Sequence, residues 1–195
     1  MLFKKNHLNE VLETTSASMD VFVPAIVDGT SRFVLYGEQG EVIEPNFQLQ
    51  NTKIPPKGLL FPSTEKLYTW GKGPDGTFID SALETPRPFV VFGVRPCDAA
   101  AIERMDQVFL SKGYIDEFYQ AKRNALTLVA MACPRTSDAC FCDSMGQSPN
   151  AAPEADILLL EDNDAFEVHV QTERGQALAD AWKPFLEEGE VDRQP

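Results

Sequence analysis

The sequence predicts an α/β fold built on a mixed sheet, with a central βαβ unit, flanking helices and edge hairpins. Three observations carry this reading. Phe89 to Val94 and Leu126 to Ala132 are continuous apolar runs of strand length, the pattern of strands buried on both faces. Between them Ala101, Ile102, Met105, Val108 and Phe109 recur at helical spacing, so strand, helix and strand follow one another and the two strands should be parallel neighbours. Elsewhere, short β-branched and aromatic runs flank turn-rich spacers, as hairpins require.

Taken in order, Leu8, Val11 and Leu12 give the stretch from Leu2 to Ala17 the spacing of a short amphipathic helix. Asp20 to Val27 and Arg32 to Tyr36 are strands around Asp28-Gly29-Thr30-Ser31, and Pro24 favours an edge position for the first. Ile54-Pro55-Pro56-Lys57-Gly58 through Ser63 reads as an extended loop, because its prolines cannot donate ladder hydrogen bonds. Leu67 to Trp70 is a short strand. The glycine-rich Gly71-Lys72-Gly73-Pro74-Asp75-Gly76-Thr77 lacks the Gly-Lys-Ser/Thr ending of a phosphate loop and reads as a hairpin turn. After Phe89 to Val94, Asp98 is the expected N-cap of the crossover helix. Asp156 to Leu160 and Ala165 to Val170 are two further strands around Asp162-Asn163-Asp164. Thr172 to Leu186 is a helix with Leu178, Trp182 and Phe185 on one face.

The chain has 195 residues, the size of one domain, and a net charge of −13 with Lys-Lys and Lys-Arg pairs as its longest basic runs. Such a balance repels phosphate backbones and anionic lipid, so neither nucleic acid nor a membrane surface is expected as a partner. The longest nearly uncharged apolar stretch, Leu126 to Cys133, falls well short of the ~20 residues that cross a bilayer. The N-terminus lacks the apolar run of a secretory signal, so the expected compartment is the cytoplasm. Residues 150–195 hold 12 acidic and 3 basic side chains, placing −9 of the charge in the last quarter. That segment is a candidate docking surface for a basic partner, or a solvated face.

In a reducing compartment the four cysteines are poor disulfide candidates. Cys97 precedes a gap of 35 residues, then Cys133-x6-Cys140-x-Cys142 follows. Cys97 and Cys133 fall at the carboxyl ends of the two predicted parallel strands, where open α/β sheets place their sites. Cys97 also falls at a helix N-terminus, which favours a thiolate. Cys140 and Cys142 lie in a loop of small and polar residues with no core to fill. Four thiols are the ligand count of a tetrahedral zinc or a [4Fe–4S] cube, and the spacing matches the usual local signature of neither. Phe141 between two thiols could shield a cluster from water, or pack. Burial of the cysteines as small hydrophobes is the plain alternative. A nucleophilic cysteine needs a base, and His7 and His169 both lie in peripheral segments, His169 on the polar face of a strand.

Phe92-Gly93-Val94-Arg95-Pro96-Cys97-Asp98, Met105 to Leu110, Asp116-Glu117-Phe118-Tyr119, Arg123, Cys133 and Cys140-Phe141-Cys142 together resemble the amino-terminal region of sulfhydrogenase beta subunits. They equally resemble the corresponding iron–sulfur electron-transfer subunits of anaerobic sulfite reductases. Ile54-Pro55-Pro56-Lys57 with Phe61-Pro62 is similar to that family's Pro-Pro-Lys loop. The resemblance covers about residues 54 to 142. It implies a [4Fe–4S] cluster held by Cys97, Cys133, Cys140 and Cys142. It also implies single-electron relay within a hydrogenase, sulfite reductase or heterodisulfide reductase-linked assembly, with no substrate site on this chain. The implied partners are ferredoxin-like, flavin-binding or catalytic subunits. In this reading residues 1–195 form one iron–sulfur-binding domain: helix and hairpin over 1–53, a cluster-binding core over 54–149, and an acidic segment over 150–195. The family's tandem ferredoxin domain is absent, as in a split or truncated subunit. Arg95, Lys57 and Arg135 are candidates for raising the cluster's potential. The alternative is a structural zinc module for protein interaction.

Overall fold

Alternation along the strands sets the layers. In β6 (Phe89–Val94), Val90 and Phe92 point to one face of the sheet while Phe89 and Val91 point to the other, and every residue is buried. The computed structural model describes residues 1–37 and 44–189. Its main sheet has seven strands in the order β1-β9-β8-β7-β6-β2-β3. The strands are β1 (Leu2–Lys4), β2 (Asp20–Val27), β3 (Thr30–Leu35), β6, β7 (Leu126–Met131), β8 (Ile157–Glu161) and β9 (Ala165–Val170). The central strands β2, β6, β7 and β8 are parallel to their neighbours, with Phe89 opposite Leu126 and Val129 opposite Ile157. Antiparallel β3 and β9 flank them. The predicted α/β class, mixed sheet and central crossover are all present.

Helices cover both faces. On one lie α1 (Leu8–Ser16) and α4 (Glu173–Ala181), whose Val11, Leu12 and Leu178 pack with Phe3, Phe92, Met131 and the fully buried Trp182. The Trp182 indole N–H donates to Thr15 Oγ1 at 2.9 Å, so the largest core side chain is also paired. The other face carries α2 (Pro96–Phe109) and α3 (Glu117–Ala125), which contribute Ala99, Ile102 and Tyr119. Helix α3 has few apolar residues, and periodicity does not reveal it. It is held by polar contacts instead: Asp116 caps its start by accepting from Tyr119 N at 2.9 Å, and the Tyr119 hydroxyl donates to Asp106 at 2.6 Å. Arg123 pairs with the same Asp106 at 2.9 Å. Three residues of the family-like motif therefore lock α3 to α2.

Several expectations change. Leu2 to Lys4 is a strand on β9 rather than the start of a helix, with Phe3 opposite Phe166. Strand β2 is internal, but it pairs with β6 only over Asp20 to Phe22, so Pro24 sits beyond the ladder that would need its missing N–H. Pro56–Leu59 forms a 3-10 turn, because the ring that spoils a ladder suits the first turn of a helix. Helix α2 starts at Pro96 with Arg95 in the capping position and no side-chain cap, which puts Asp98 inside the first turn instead of at the N-cap. Thr172, by contrast, caps α4 by accepting from Gly175 N. Strands β4 (Tyr68–Gly73) and β5 (Gly76–Ser81) form the expected hairpin as a separate two-stranded ribbon, its turn at Pro74-Asp75.

Two glycines are required by geometry. Gly93 has φ +85° and makes a bulge, since Phe92 pairs with Val129 and Val94 with Ala130. The inserted residue sends Val94 to the α2 face and re-aims the strand exit toward Cys97. A Cβ at Gly93 would also meet the Phe47 ring at 2.7 and 2.8 Å. At Gly175 a Cβ would lie 2.1 Å from the Asp156 carbonyl oxygen, the point where α4 rests on β8. Gly93→Ala is expected to lower the unfolding free energy by about 1–3 kcal/mol through backbone strain, with the ring clash added. A urea titration followed by circular dichroism that leaves the midpoint unchanged would refute this.

Candidate functional site

Parallel strands β6 and β7 both end at the same sheet edge, and each delivers a cysteine there. Cys97 is the second residue of α2, directly after β6. Cys133 follows β7 by two residues, its N–H donating to Pro149 O at 2.9 Å. The loop from Cys133 to Pro149 then folds over the edge. It turns at Ser137, whose carbonyl accepts from Cys140 N, and at the 3-10 turn Asp143–Met145, where the Cys142 carbonyl accepts from Met145 N and Gln147 N. All four cysteines consequently line one cavity, together with Gln50, Asn51, Pro96, Asp98, Phe141 and Ser148. Its volume is about 230 Å³, against ~30 Å³ for one water in the liquid, so it can hold a polyatomic group.

None of the four thiols is in the core. Cys140 is exposed and the other three are half-buried and free, which disposes of the reading that they fill space as small hydrophobes. Phe141 is 68% exposed and so does not pack inside. His7 and His169 lie elsewhere, His169 exposed on β9 beside Glu167 at 3.0 Å, in keeping with its place on the polar face of a strand. Among the described residues no three His, Cys, Asp or Glu side chains close tightly enough to hold a single metal ion.

The thiols differ in electrostatics. Burial pushes the Cys97 thiol up to about 11, and the neighbouring Asp98 carboxylate and Cys133 add to this. The main-chain N–H groups of Cys97 and Asp98 at the start of α2 pull the other way but lose, so the helix N-terminus alone does not make Cys97 a thiolate. Burial also raises Cys133, with the Arg95 charge opposing it. Cys140 is held below the ordinary thiol range by hydrogen bonds from Ser137 and Gln50. Asp98 is raised by burial, against the charges of Lys57 and Arg95.

Arg95, a candidate from its place two residues before Cys97, is a buried clamp. It is 5% exposed, and its guanidinium donates to main-chain carbonyls on two sides. Phe47, Leu49 and Gln50 accept at 2.6 to 3.2 Å, and Ala132 accepts at 2.8 Å. It thereby ties the stretch from Phe47 to Gln50 to the end of β7. Nothing in the composition of that stretch marks it as part of a site; only the topology brings Gln50 and Asn51 to the cysteines. Lys57 stands close enough to Asp98 to act on its charge, and Arg135 contributes its carbonyl oxygen, which accepts from Gln50 at 3.0 Å.

These differences order the reactivity of the metal-free chain. At neutral pH a thiol near 11 is ionised roughly 100-fold less than one at the reference value of 9.0. Iodoacetamide labelling followed by peptide mass spectrometry should therefore modify Cys140 first and Cys97 last, with the gap narrowing as pH rises. Equal rates at the two positions would contradict this electrostatic ordering.

No family model and no solved structure matches the chain significantly. It is similar to Sulfhydrogenase 2 subunit beta of Pyrococcus furiosus, with 29% identity over 155 residues. The match covers 80% of this chain and 43% of that protein, so the chain spans less than half the length of its curated relative. This likeness supports the resemblance to sulfhydrogenase beta subunits carried by the motifs around Cys97 and Cys140-Phe141-Cys142.

Proposed function

We propose that this chain is an iron–sulfur electron-transfer component of a multi-subunit oxidoreductase, and that it relays single electrons through one [4Fe–4S] cluster held by Cys97, Cys133, Cys140 and Cys142. The observation that supports this most directly is the meeting of four free thiols, from three separated stretches of chain, around one cavity at the carboxyl edge of the sheet. The donor set fits such a group. Thiolates are the ligands of these clusters, and no other ligand type is needed to reach four. A single zinc with Zn–S bonds of ~2.3 Å demands tight convergence of its ligands. In a cube each thiolate serves a different iron.

When bound, the cluster supplies reversible one-electron chemistry. The chain's own part is to hold the thiols, offer main-chain N–H groups at the start of α2, and place the Arg95 charge behind Cys97 and Cys133. Because ligation requires thiolates, loading should release protons, that of the Cys97 thiol, pushed up to about 11, among them. Phe141 lines the cavity between the two loop thiols, where it would limit water access to a bound cluster. In this reading the described residues form one cluster-binding unit. The relative's name, which marks it as part of a sulfhydrogenase, supports partner subunits of the redox type, whether ferredoxin-like, flavin-binding or catalytic. Among the described residues no helix is long and apolar enough to cross a membrane.

Anaerobic reconstitution with iron and sulfide should give a brown chain with a broad band near ~400 nm and about four irons per chain. A colourless product holding one zinc would overturn the proposal and leave a structural zinc module. Single replacements Cys97→Ser, Cys133→Ser, Cys140→Ser and Cys142→Ser should each remove more than half of the bound iron. Full iron retention in any one of them would strike that residue from the ligand set.

A further inference from the structure

Two polar side chains from outside the cysteine motifs reach a sulfur: Asn51 Oδ1 accepts from the Cys97 thiol at 3.9 Å, and Gln50 donates to Cys140. The Gln50 side-chain amide donates to Cys140 Sγ at 3.2 Å and to the Arg135 carbonyl oxygen at 3.0 Å. A primary amide has two N–H donors, so both contacts can be made at once. Its main chain is held as well, since the Gln50 carbonyl accepts from Arg95 Nε at 3.0 Å. The group is thus anchored at its backbone by a buried arginine and at its tip by the loop that carries Cys140. Ser137 approaches the same sulfur, with its N–H at 3.3 Å and its hydroxyl at 3.5 Å.

We propose that Gln50 is a positioning residue for the redox site: its amide N–H hydrogen-bonds the Cys140 sulfur, stabilising the more negatively charged reduced state and so setting the potential higher than the four thiols alone would. This rests on the cluster reading above. The physical basis is that a donor aimed at a ligand sulfur interacts more strongly as negative charge builds on it, and the energy appears as a shift in potential. The contact crosses from the Phe47 to Asn51 stretch to the Arg135 to Cys140 loop, so it also joins the two walls of the cavity.

The test uses the full chain, reconstituted anaerobically, as wild type, Gln50→Met and Gln50→Glu. Methionine keeps the length without the donor; glutamate keeps the shape, loses the donor and adds a negative charge. The expected result is full iron content in both variants, a midpoint potential shifted to more negative values in the methionine variant, and a larger shift in the same direction in the glutamate variant. Pulsed electron paramagnetic resonance of the reduced chain, labelled with 15N in glutamine side chains, should show a coupled nitrogen in wild type that is lost in Gln50→Met. Iron-loaded variants with unmoved potentials, or an unchanged nitrogen coupling, would overturn this inference alone. Loss of iron in both variants would make Gln50 an assembly residue and would likewise overturn the tuning role. A wild-type chain that takes up no iron would instead overturn the cluster reading, and this inference with it.

Discussion

The cysteine edge of this protein hangs on one buried cation. Arg95 places its guanidinium among the carbonyl oxygens of Phe47, Leu49, Gln50 and Ala132, joining a stretch that lacks regular structure to the end of a central strand. Removing the guanidinium leaves the buried Phe47 carbonyl unpaired, at about 1–3 kcal/mol, and frees the part-buried Leu49, Gln50 and Ala132 carbonyls to water, unfastening the two sides from each other. Lysine could not stand in. Its single ammonium has three donors on a flexible stem, whereas the guanidinium offers five in a planar fork that reaches both sides at once.

Around that anchor the sheet supplies direction. Parallel β6 and β7 point their carboxyl ends the same way, and the crossover through α2 and α3 guarantees that residues 97 and 133 emerge side by side although 35 residues separate them. The bulge at Gly93 makes the final adjustment, and Phe47 fills the space that a side chain at that position would occupy. Two of the acidic side chains after residue 149 are woven into the same framework. Asp156 accepts from Leu128 N and from the Thr172 hydroxyl, and Glu161 pairs with Lys5 at 2.7 Å. Only residues 190–195 of that segment lie outside the described part.

What can be read from the sequence is whatever advertises itself by periodicity or by residue type. The runs in β6 and β7, the alternation in β9 and the apolar stripe of α4 all follow from burial, and the cysteines announce themselves by chemistry. Three things cannot be read. Helix α3 is stabilised by Asp116, Tyr119, Asp106 and Arg123 rather than by an apolar face, so its signal is spread over two helices. Gln50 and Asn51 belong to the site only through long-range placement, a consequence of topology that no local window contains. The Cys97 thiol is decided by a contest between burial and helix N–H groups, and burial is set only by the folded surroundings. Nearness to Cys97 singles out Arg95 in the sequence, but its role as a buried clamp is visible only once its carbonyl partners are in place.

The two tryptophans divide the molecule in a way that makes it its own reporter. Trp182 is wholly enclosed between α1, α4 and the sheet, whereas Trp70 stands 68% exposed on the β4–β5 ribbon. An indole in a dry core and one in water emit at different wavelengths and differ in their access to a dissolved quencher. The chain thus carries one built-in probe of its interior and a second of a ribbon that stands outside the main sheet. Events at the ribbon and events in the core can be followed separately, in the same cuvette and without a label.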